Sequence, residues 1–311
     1  MVRYYLTENG ILNEKQAAEN GCWIVMIHPS ASEIEEIAAV ADIDIDDLRS
    51  PLDEEERSRI EFEDNYTLLL VDIPSIEERN GTDWFETLPM GIFSTDKYMI
   101  TVCLQDTPIL EAFIKGRIRN FHTYMKTRFI LQILYRNASL FLQYLRVIDK
   151  KSEVIEKKLH QSQKNKELIE LLELEKSLVY FTTSLRGNEM VLEKLLKSEK
   201  IKKYPDDEDL LEDVIVENKQ AIEMAGIYSG ILSGTMDAFA SVISNNQNLV
   251  MKTLAAITIV MSIPNIIAGF FGMNVSDIPL SRTPFSFLII CVITLAIVGV
   301  AVYILKKKDM F

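Results

Sequence analysis

The segment GFFGMNVSDIPLSRTPF, residues 269–285, joins the two long apolar stretches of the chain. These stretches, 253–271 and 285–305, contain no Asp, Glu, Lys, Arg or His. At 1.5 Å per residue they would form helices of roughly 28 and 31 Å, close to the ~30 Å hydrocarbon core of a bilayer. Two buried core helices of a soluble protein would need a cover on every side. The sequence therefore predicts two membrane-spanning helices joined by a loop at 272–284.

The charges beside the two spans predict how the chain crosses the membrane. Lys252 precedes the first span and the basic tail 306–311 follows the second, whereas the loop carries only Asp277 and Arg282. Positive flanks favour the cytoplasmic side, so both termini are predicted to be cytoplasmic and the loop extracellular. The N-terminus lacks the continuous apolar region of a signal peptide. We expect a multi-pass protein of the cell inner or plasma membrane, in contact with lipid.

Charge and cysteine spacing narrow the classes of function. The net charge of −13 disfavours a nucleic-acid partner and suits cations. Cys22, Cys103 and Cys291 share no metal-binding spacing and fit a reducing cytoplasm. The sequence has no glycine-rich phosphate loop, Ser/His/Asp arrangement or zinc motif. It therefore predicts neither an enzyme nor a nucleic-acid-binding protein.

The residues before the spans divide into a mixed part and a helical part. Residues 1–120 alternate β-rich runs such as CWIVMIH with helical stretches such as ASEIEEIAAVA, whose start Ser30 or Ser32 could cap. This alternation predicts a cytoplasmic α/β domain with a mixed sheet covered by helices. Residues 121–205 place apolar residues three and four apart among charges, which predicts a cytoplasmic helical hairpin.

A third segment, 206–271, predicts one helix that runs from the cytoplasm into the first span. No proline occurs between Pro205 and Pro264, and Asp206 or Asp207 is placed to cap the helix start. Such a helix is roughly 90–100 Å long. One small domain cannot cover it, so we expect it to pack against copies of itself.

One face of this helix is small or polar along the first span. Counted in steps of three and four, this polar stripe comprises Asn248, Met251, Ala255, Thr258, Ser262, Asn265 and Gly269. Two interpretations need no pore: small residues allow close helix packing, and Ser or Thr hydroxyls can bond to their own helix. Asparagine in hydrocarbon is costly, however, and polar residues in membranes usually face a bundle interior or a water-filled path. A ring of identical first spans, with the second span outside, would accommodate the stripe.

The motif Gly272-Met273-Asn274 directly follows the first span, after SNNQNLVMKTL and PNIIAG, and precedes a short loop, a second span and a lysine run. In this arrangement the sequence resembles the CorA family of magnesium channels, and SPLDEEERSRIEFEDNYTLLLVDIP in the first domain is similar as well. The resemblance implies a funnel-shaped homopentamer whose long helices line the pore. It implies a selectivity filter at Gly272, Met273 and Asn274, a hydrophobic constriction at Leu254, and pore-facing positions along the polar stripe.

The same resemblance implies uptake of Mg²⁺, driven by the membrane potential, and closure when intracellular Mg²⁺ bridges carboxylates between subunits. Asp213 in LEDVIVE matches the aspartate of such a regulatory site, and Glu217 lies one turn further along the same face. The alternative for this pair is a solvated helix face. The acidic run 53–56 is not assigned to the site, because such runs usually face solvent.

Uncharged residues at the filter suit a hydrated cation. Mg²⁺ releases its bound water reluctantly, so stripping it to a bare ion is slow. Amide and main-chain oxygens can accept hydrogen bonds from those waters, whereas carboxylates at this point would hold the ion too tightly. Two departures from the family pattern leave the ion open. The loop sequence VSDIPLSR has no glutamate, and Ser262 stands where the family often has methionine.

Two alternatives therefore remain beside magnesium. One is a zinc, cobalt or nickel transporter of the same architecture, although the zinc branch usually has Ile where this chain has Met273. The other is a membrane-anchored metal sensor or scaffold, whose spans only hold an acidic domain at the membrane. An anchor would tolerate leucine at Asn265 and Asn274, whereas a pore would not.

Overall fold

The computed structural model describes residues 1–79, 82–162, 165–198, 205–273, 279, 285–308 and 310. These residues form two units, Met1–Thr235 and Met236–Phe311, which are described separately below. The strands are β1 (Val2–Glu8), β2 (Ile11–Lys15), β3 (Trp23–Ile27), β4 (Arg59–Phe62), β5 (Tyr66–Arg79), β6 (Thr82–Thr95) and β7 (Met99–Cys103). The helices are α1 (Ala31–Ala41), α2 (Ile45–Arg49), α3 (Pro108–Ile114), α4 (Lys126–Ser162), α5 (Asn165–Lys197), α6 (Pro205–Phe271) and α7 (Ser286–Lys307).

The first unit is built on a mixed sheet with the strand order β2-β1-β3-β7-β6-β5-β4. The central pair β3 and β7 is parallel, while the neighbouring described pairs are antiparallel. Helices cover both faces, so the α/β domain with a mixed sheet predicted from the sequence is confirmed. Ser30 caps α1, since its hydroxyl accepts from Glu33 N while the Glu33 carboxylate accepts from Ser30 N.

Each face of the sheet has its own core. On one face, Ile37 of α1 and Leu48 of α2 pack with strand residues such as Leu68. On the other face, residues of α3, α4, α5 and the start of α6 share one cluster with Trp23 of β3. The Trp23 indole lies edge-on to Phe129 of α4, with ring centroids 5.0 Å apart, and its Nε1 donates to Thr101.

Two prolines lie inside the long β5–β6 hairpin, at positions where the strand pairing does not use a main-chain N–H. Pro89 of β6 lies opposite Asp72 of β5. The main-chain N–H and C=O of Asp72 point away from β6 and bond to the side chain of Asn188 in α5, at 2.9 and 2.8 Å. Pro74 lies two residues after Asp72 in β5, so its main chain also points away from β6. The pairing of β5 with β4 ends at Leu70, and Pro74 lies beyond that point. Neither proline therefore breaks a strand pair.

The start of α6 differs from the sequence prediction. The helix begins at Pro205, so Asp207 lies inside its first turn and is not the N-cap. Asp207 is 3% exposed and forms an ion pair with Arg128 of α4 at 3.0 Å. The helices α4, α5 and α6 all contribute side chains to the core of the sheet. The predicted domain boundaries at 120 and 205 stay predictions.

The second unit contains the C-terminal part of α6 and helix α7. Both α6 and α7 include an 18-residue window long and apolar enough to cross a membrane. Only 6% of each window is buried, which is unlike a core helix of a soluble protein. The two apolar C-terminal helices predicted from the sequence are confirmed.

Candidate functional site

The polar stripe lies mostly on the exposed side of α6 within the second unit: Ser262 is half-buried, and the other six members are exposed. A different face of the same helix is less exposed, and it consists of Thr253, Ala256, Val260, Ile263 and Ile267. Ala256 is fully buried, at 0% exposure. At 3.6 residues per turn, this covered face lies roughly opposite the polar stripe.

Helix α7 supplies the cover. Its less exposed positions recur every three or four residues and are Ser286, Ile290, Thr294, Val298, Ala301 and Leu305, with Ile289 beside them. Among the described residues of this unit, α7 is the other helix, so we infer that the less exposed faces of α6 and α7 are turned toward each other. A single chain therefore leaves the polar stripe open on the side away from α7.

The hydroxyls of the polar stripe bond to their own helix. Thr258 Oγ1 donates to the Leu254 main-chain oxygen at 2.8 Å, and Ser262 Oγ donates to the Thr258 main-chain oxygen at 2.7 Å. The sequence analysis gave such bonds as an interpretation that needs no pore. Each bond uses the hydroxyl proton, however, and leaves the oxygen lone pairs directed outward as acceptors. At Thr258 and Ser262 the stripe therefore presents hydrogen-bond acceptors.

The remaining stripe residues are small or exposed. Met251 is 63% exposed, and Leu254, beside the stripe, is 56% exposed. Asn248, Ala255 and Asn265 are exposed as well. A Cβ at Gly269 would meet nothing within 4 Å. The predicted pore-lining positions thus share one open side of α6, and their role as a pore lining stays a prediction.

The first two residues of the predicted filter cap the end of α6. Gly272 N donates to the Ala268 main-chain oxygen at 2.9 Å, which closes the last turn. A Cβ at position 272 would lie 3.1 Å from that oxygen, closer than ordinary contact. A side chain here would have to displace that oxygen by a few tenths of an ångström, so glycine fits this close approach, although its φ is not in the left-handed region. Met273 follows and is 51% exposed, while Asn274 lies outside the described residues.

Proline 264 is a feature of this helix to which the sequence analysis gave no role. Pro264 lies inside α6 and has no N–H to donate to the main-chain oxygen of Val260, one turn earlier. Val260 belongs to the covered face. The signal was present in the sequence, since proline in a helix frees the carbonyl four residues before it.

The predicted regulatory pair lies on α6 within the first unit. Asp213 is exposed, and Glu217 is half-buried and accepts a hydrogen bond from Ser139 Oγ of α4 at 3.2 Å. The described residues contain no group of three or more His, Cys, Asp or Glu that could hold a metal ion. Within the part of the chain that the structure describes, Asp213 therefore belongs to no such group, and its role in regulation stays a prediction.

The acidic run 53–56 has local structural roles. Asp53 Oδ1 accepts from Glu55 N at 3.0 Å, and Glu56 pairs with Arg59. These contacts agree with leaving the run out of the regulatory site.

Comparison with known proteins gives one consistent family. The family model described as CorA-like Mg2+ transporter protein matches residues 18–307. The cobalt/magnesium transport protein CorA of Methanocaldococcus jannaschii is 26% identical, over 92% of this chain and 90% of that protein. The magnesium transport protein CorA of Campylobacter jejuni is 25% identical, over 98% of both chains.

A solved structure shares the fold over the whole chain. The complete structure of the CorA magnesium transporter from Methanocaldococcus jannaschii superposes with a TM-score of 0.87 at 23% identity. The match covers 100% of this chain and 99% of that one. The α/β domain, the long helix and the two apolar C-terminal helices thus occur together in a known arrangement.

Proposed function

Since the chain belongs to the CorA family of Mg²⁺ transporter proteins, we propose that it forms a channel for the uptake of divalent cations, with Mg²⁺ as the main ion. It is a transporter and not an enzyme. The observation that carries the channel proposal is the placement of the polar stripe. The stripe lies on the side of α6 opposite the less exposed face, and its last residue, Gly269, lies three residues before Gly272.

The open stripe supports an assembly of several copies. One chain has two spans, which are too few to enclose a water-filled path. Copies of α6 arranged in a ring would turn each stripe to the axis and leave α7 toward lipid, because α7 covers the opposite face. The family resemblance favours five copies. The proposed assembly is a homopentamer in the cell inner or plasma membrane, with both termini in the cytoplasm.

The chemistry of the stripe suits a cation that keeps its water. The waters bound to Mg²⁺ point their hydrogens outward, so a path must offer acceptors. The Thr258 and Ser262 oxygens do so, because their protons are already donated to the helix backbone. The amide oxygen of Asn265 adds a further acceptor, and Gly269 keeps the path wide. Leu254 is the proposed hydrophobic constriction, which closes by excluding water.

The filter is proposed at Gly272, Met273 and Asn274, at the outer end of the path. The Asn274 amide and main-chain oxygens would bind the hydrated ion by its waters and release it quickly. A divalent ion that enters a cell with a negative-inside potential gains about 4.6 kcal/mol per 100 mV, twice the value for one charge. This gain drives uptake without ATP.

Regulation is proposed at Asp213, with Glu217 one turn away. Asp213 is exposed and belongs to no group of three metal-binding side chains among the described residues, which supports a site shared with carboxylates of a neighbouring copy. Carboxylates brought together across an interface repel each other until a divalent cation binds between them. Loss of intracellular Mg²⁺ would then separate the subunits and open the path.

Cobalt is the second candidate ion. The relative from Methanocaldococcus jannaschii is named a cobalt/magnesium transport protein, and so is the relative from Thermotoga maritima, at 23% identity. Octahedral Co²⁺ can travel along the same acceptors as Mg²⁺. Flux into liposomes measured side by side for Mg²⁺, Co²⁺, Ni²⁺ and Zn²⁺ ranks the ions. It also tests the zinc or nickel alternative.

The channel proposal is tested by Asn274→Ala in a magnesium-starved cell. We expect uptake to be abolished while the oligomer stays intact in detergent. The matched control is Asn245→Ala, an asparagine of α6 outside the polar stripe, which should leave uptake unchanged. Unchanged uptake in Asn274→Ala, together with tolerance of Asn265→Leu, would instead favour a membrane-anchored sensor or scaffold.

A further inference from the structure

Four lysines of the second unit lie directly beyond the apolar stretches. Lys252 of α6 precedes the stretch 253–271, and Lys306, Lys307 and Lys308 follow the stretch 285–305. All four side chains are exposed. In the part of the chain that the structure describes, none of them forms an ion pair. These four residues are called the basic cluster below.

Both parts of the basic cluster belong to one side of the membrane. The two apolar stretches are joined by the segment 272–284, so a chain that crosses the bilayer twice returns both far ends to the same side. The less exposed positions of the helices agree with this. From Ile267 back to Thr253, and from Ile290 on to Leu305, each helix makes four steps of three or four residues. The two parts of the basic cluster therefore lie at the same depth, where hydrocarbon meets the head groups.

The end of α7 holds its lysines close to the helix. Lys308 is the C-cap, and its main-chain N–H is shared between the oxygens of Ile304 and Leu305, at 3.2 Å each. Met310 N donates to the same Leu305 oxygen at 3.1 Å, so the chain turns back at this point. The carbonyl end of a helix also favours positive charge. The three ammonium groups are therefore presented around one helix end.

Acidic residues compensate little of this charge. Before Lys252 the first acidic residue of α6 is Asp237, roughly 22 Å away along the helix, and α7 contains none. That separation exceeds the screening length of about 8–10 Å at physiological salt. Asp309 is the one acid beside the lysines in the sequence, and it lies outside the described residues. Four ammonium groups thus meet the head-group layer with a single acid next to them.

The chemistry of the cluster favours an acidic lipid over a zwitterionic one. A lysine ammonium offers three donors to phosphate oxygens. Zwitterionic head groups carry a cation of their own, which the lysines repel, whereas the phosphate charge of an acidic head group is not offset. Tyr303, 70% exposed, lies one turn before Lys307 on the same face of α7. Its ring can contact acyl chains while its hydroxyl reaches the head-group layer.

We propose that the basic cluster binds the head group of an acidic phospholipid, whose acyl chains lie along the outer face of α7 beside Tyr303. The ligand is a lipid and not a soluble anion, because both parts of the cluster directly adjoin apolar stretches of membrane-spanning length. The bound head group fixes the depth of α6 and α7 at this side of the bilayer.

Mass spectrometry of the intact full-length protein with bound lipid tests this proposal. We expect phosphatidylglycerol to bind at least tenfold more tightly than phosphatidylcholine with the same acyl chains. One lysine near an anionic surface contributes about fivefold, so Lys306→Gln with Lys307→Gln should weaken phosphatidylglycerol binding by roughly twentyfold. The arginine pair Lys306→Arg with Lys307→Arg should retain it.

The matched control is Lys157→Gln with Lys166→Gln. These lysines of the first unit have side chains that are 76% and 80% exposed, and their loss changes the net charge equally. The control should bind phosphatidylglycerol like the unaltered protein. Equal affinity of the unaltered protein for both lipids would overturn the proposal, and so would an unchanged affinity after Lys306→Gln with Lys307→Gln.

Two further measurements use the unaltered chain and remain decisive if a variant does not fold. The preference for phosphatidylglycerol should disappear in about 1 M salt, where the screening length is about 3 Å. A preference that persists there would contradict binding through charge. Glycerol 3-phosphate, which has no acyl chains, should not compete at the concentration of the lipid, and competition would identify a soluble-anion site instead. None of these measurements depends on transport, so the outcome is independent of the proposed channel.

Discussion

The Ser262 hydroxyl donates to the main-chain oxygen of Thr258, one turn earlier on the same face of α6, at 2.7 Å. Thr258 repeats the arrangement with Leu254. Each bond directs a proton into the helix and leaves oxygen lone pairs outward. On the covered face these lone pairs would have no access to water. On the open side of α6 they form a row of acceptors.

Ser262→Ala removes one acceptor from every copy of α6. Since a hydrogen bond contributes about 1 kcal/mol, we expect Mg²⁺ flux into liposomes to fall by roughly fivefold to tenfold. Thr294→Ala in α7 is the control, because Thr294 makes the same bond to its own helix but lies on the face packed toward α6. An equal loss of flux in both variants would mean that the acceptors on the stripe have no special role.

Asp207→Ala breaks the ion pair between the start of α6 and α4. Removal of one partner from a buried pair costs about 3–5 kcal/mol, and we expect about 3 kcal/mol here because Arg128 is 22% exposed. We expect the first unit to unfold at a lower denaturant concentration. Glu111→Gln, which breaks the exposed Lys115 pair on α3, should leave the midpoint unchanged. Equal midpoints for Asp207→Ala and the unaltered protein would contradict this assignment.

Gly187→Ala tests the close approach of α5 to the segment before β4. The new Cβ would lie 3.1 and 3.2 Å from the Oγ and Cβ of Ser58, so we expect a loss of stability of about 1–3 kcal/mol. Ser58→Gly removes both contact atoms. In that background, Gly187→Ala should therefore cause a smaller loss of stability. A double-mutant cycle on unfolding free energies measures this coupling. Additive losses would show that the two positions do not meet.

The thiols of the first unit should react only after unfolding. Burial raises the pKa of Cys103 to about 12 and that of Cys22 above its ordinary value, so both remain neutral thiols at pH 8. With Cys291→Ala in the background, we expect no alkylation by iodoacetamide at pH 8 until denaturant is added. Ile11→Cys, at a position that is 65% exposed, is the reactive control. Alkylation of native Cys103 at the rate of the control would refute the burial.

The sequence predicted those features that depend on local pattern. The cap at Ser30, given there as one of two candidate serines, the two apolar helices and the polar stripe each follow from spacing along a single helix. The predicted N-cap of α6 was wrong. Asp207 lies only a few residues from a capping position, and its ion-pair partner Arg128 lies far away in the sequence, so spacing alone did not distinguish the two roles.

Tertiary features had no comparable signal. An aspartate in a strand usually indicates a solvent-facing position, and no local pattern in the sequence predicts that the main chain of Asp72 bonds to Asn188, more than a hundred residues later. Little in the sequence indicated which face of α6 is covered, because the residues of that face are apolar or small, like those that face lipid. Only the position of α7 distinguishes them.

The central claim is that the polar stripe faces water inside a ring of α6 helices. It is tested most directly by cysteine accessibility in liposomes, with Cys22, Cys103 and Cys291 replaced by alanine. A charged, membrane-impermeant thiol reagent should label Asn265→Cys and block Mg²⁺ flux, and should leave Ile257→Cys, on α6 away from the stripe, unlabelled. Labelling of Ile257→Cys in preference to Asn265→Cys would place the stripe in lipid and contradict the account.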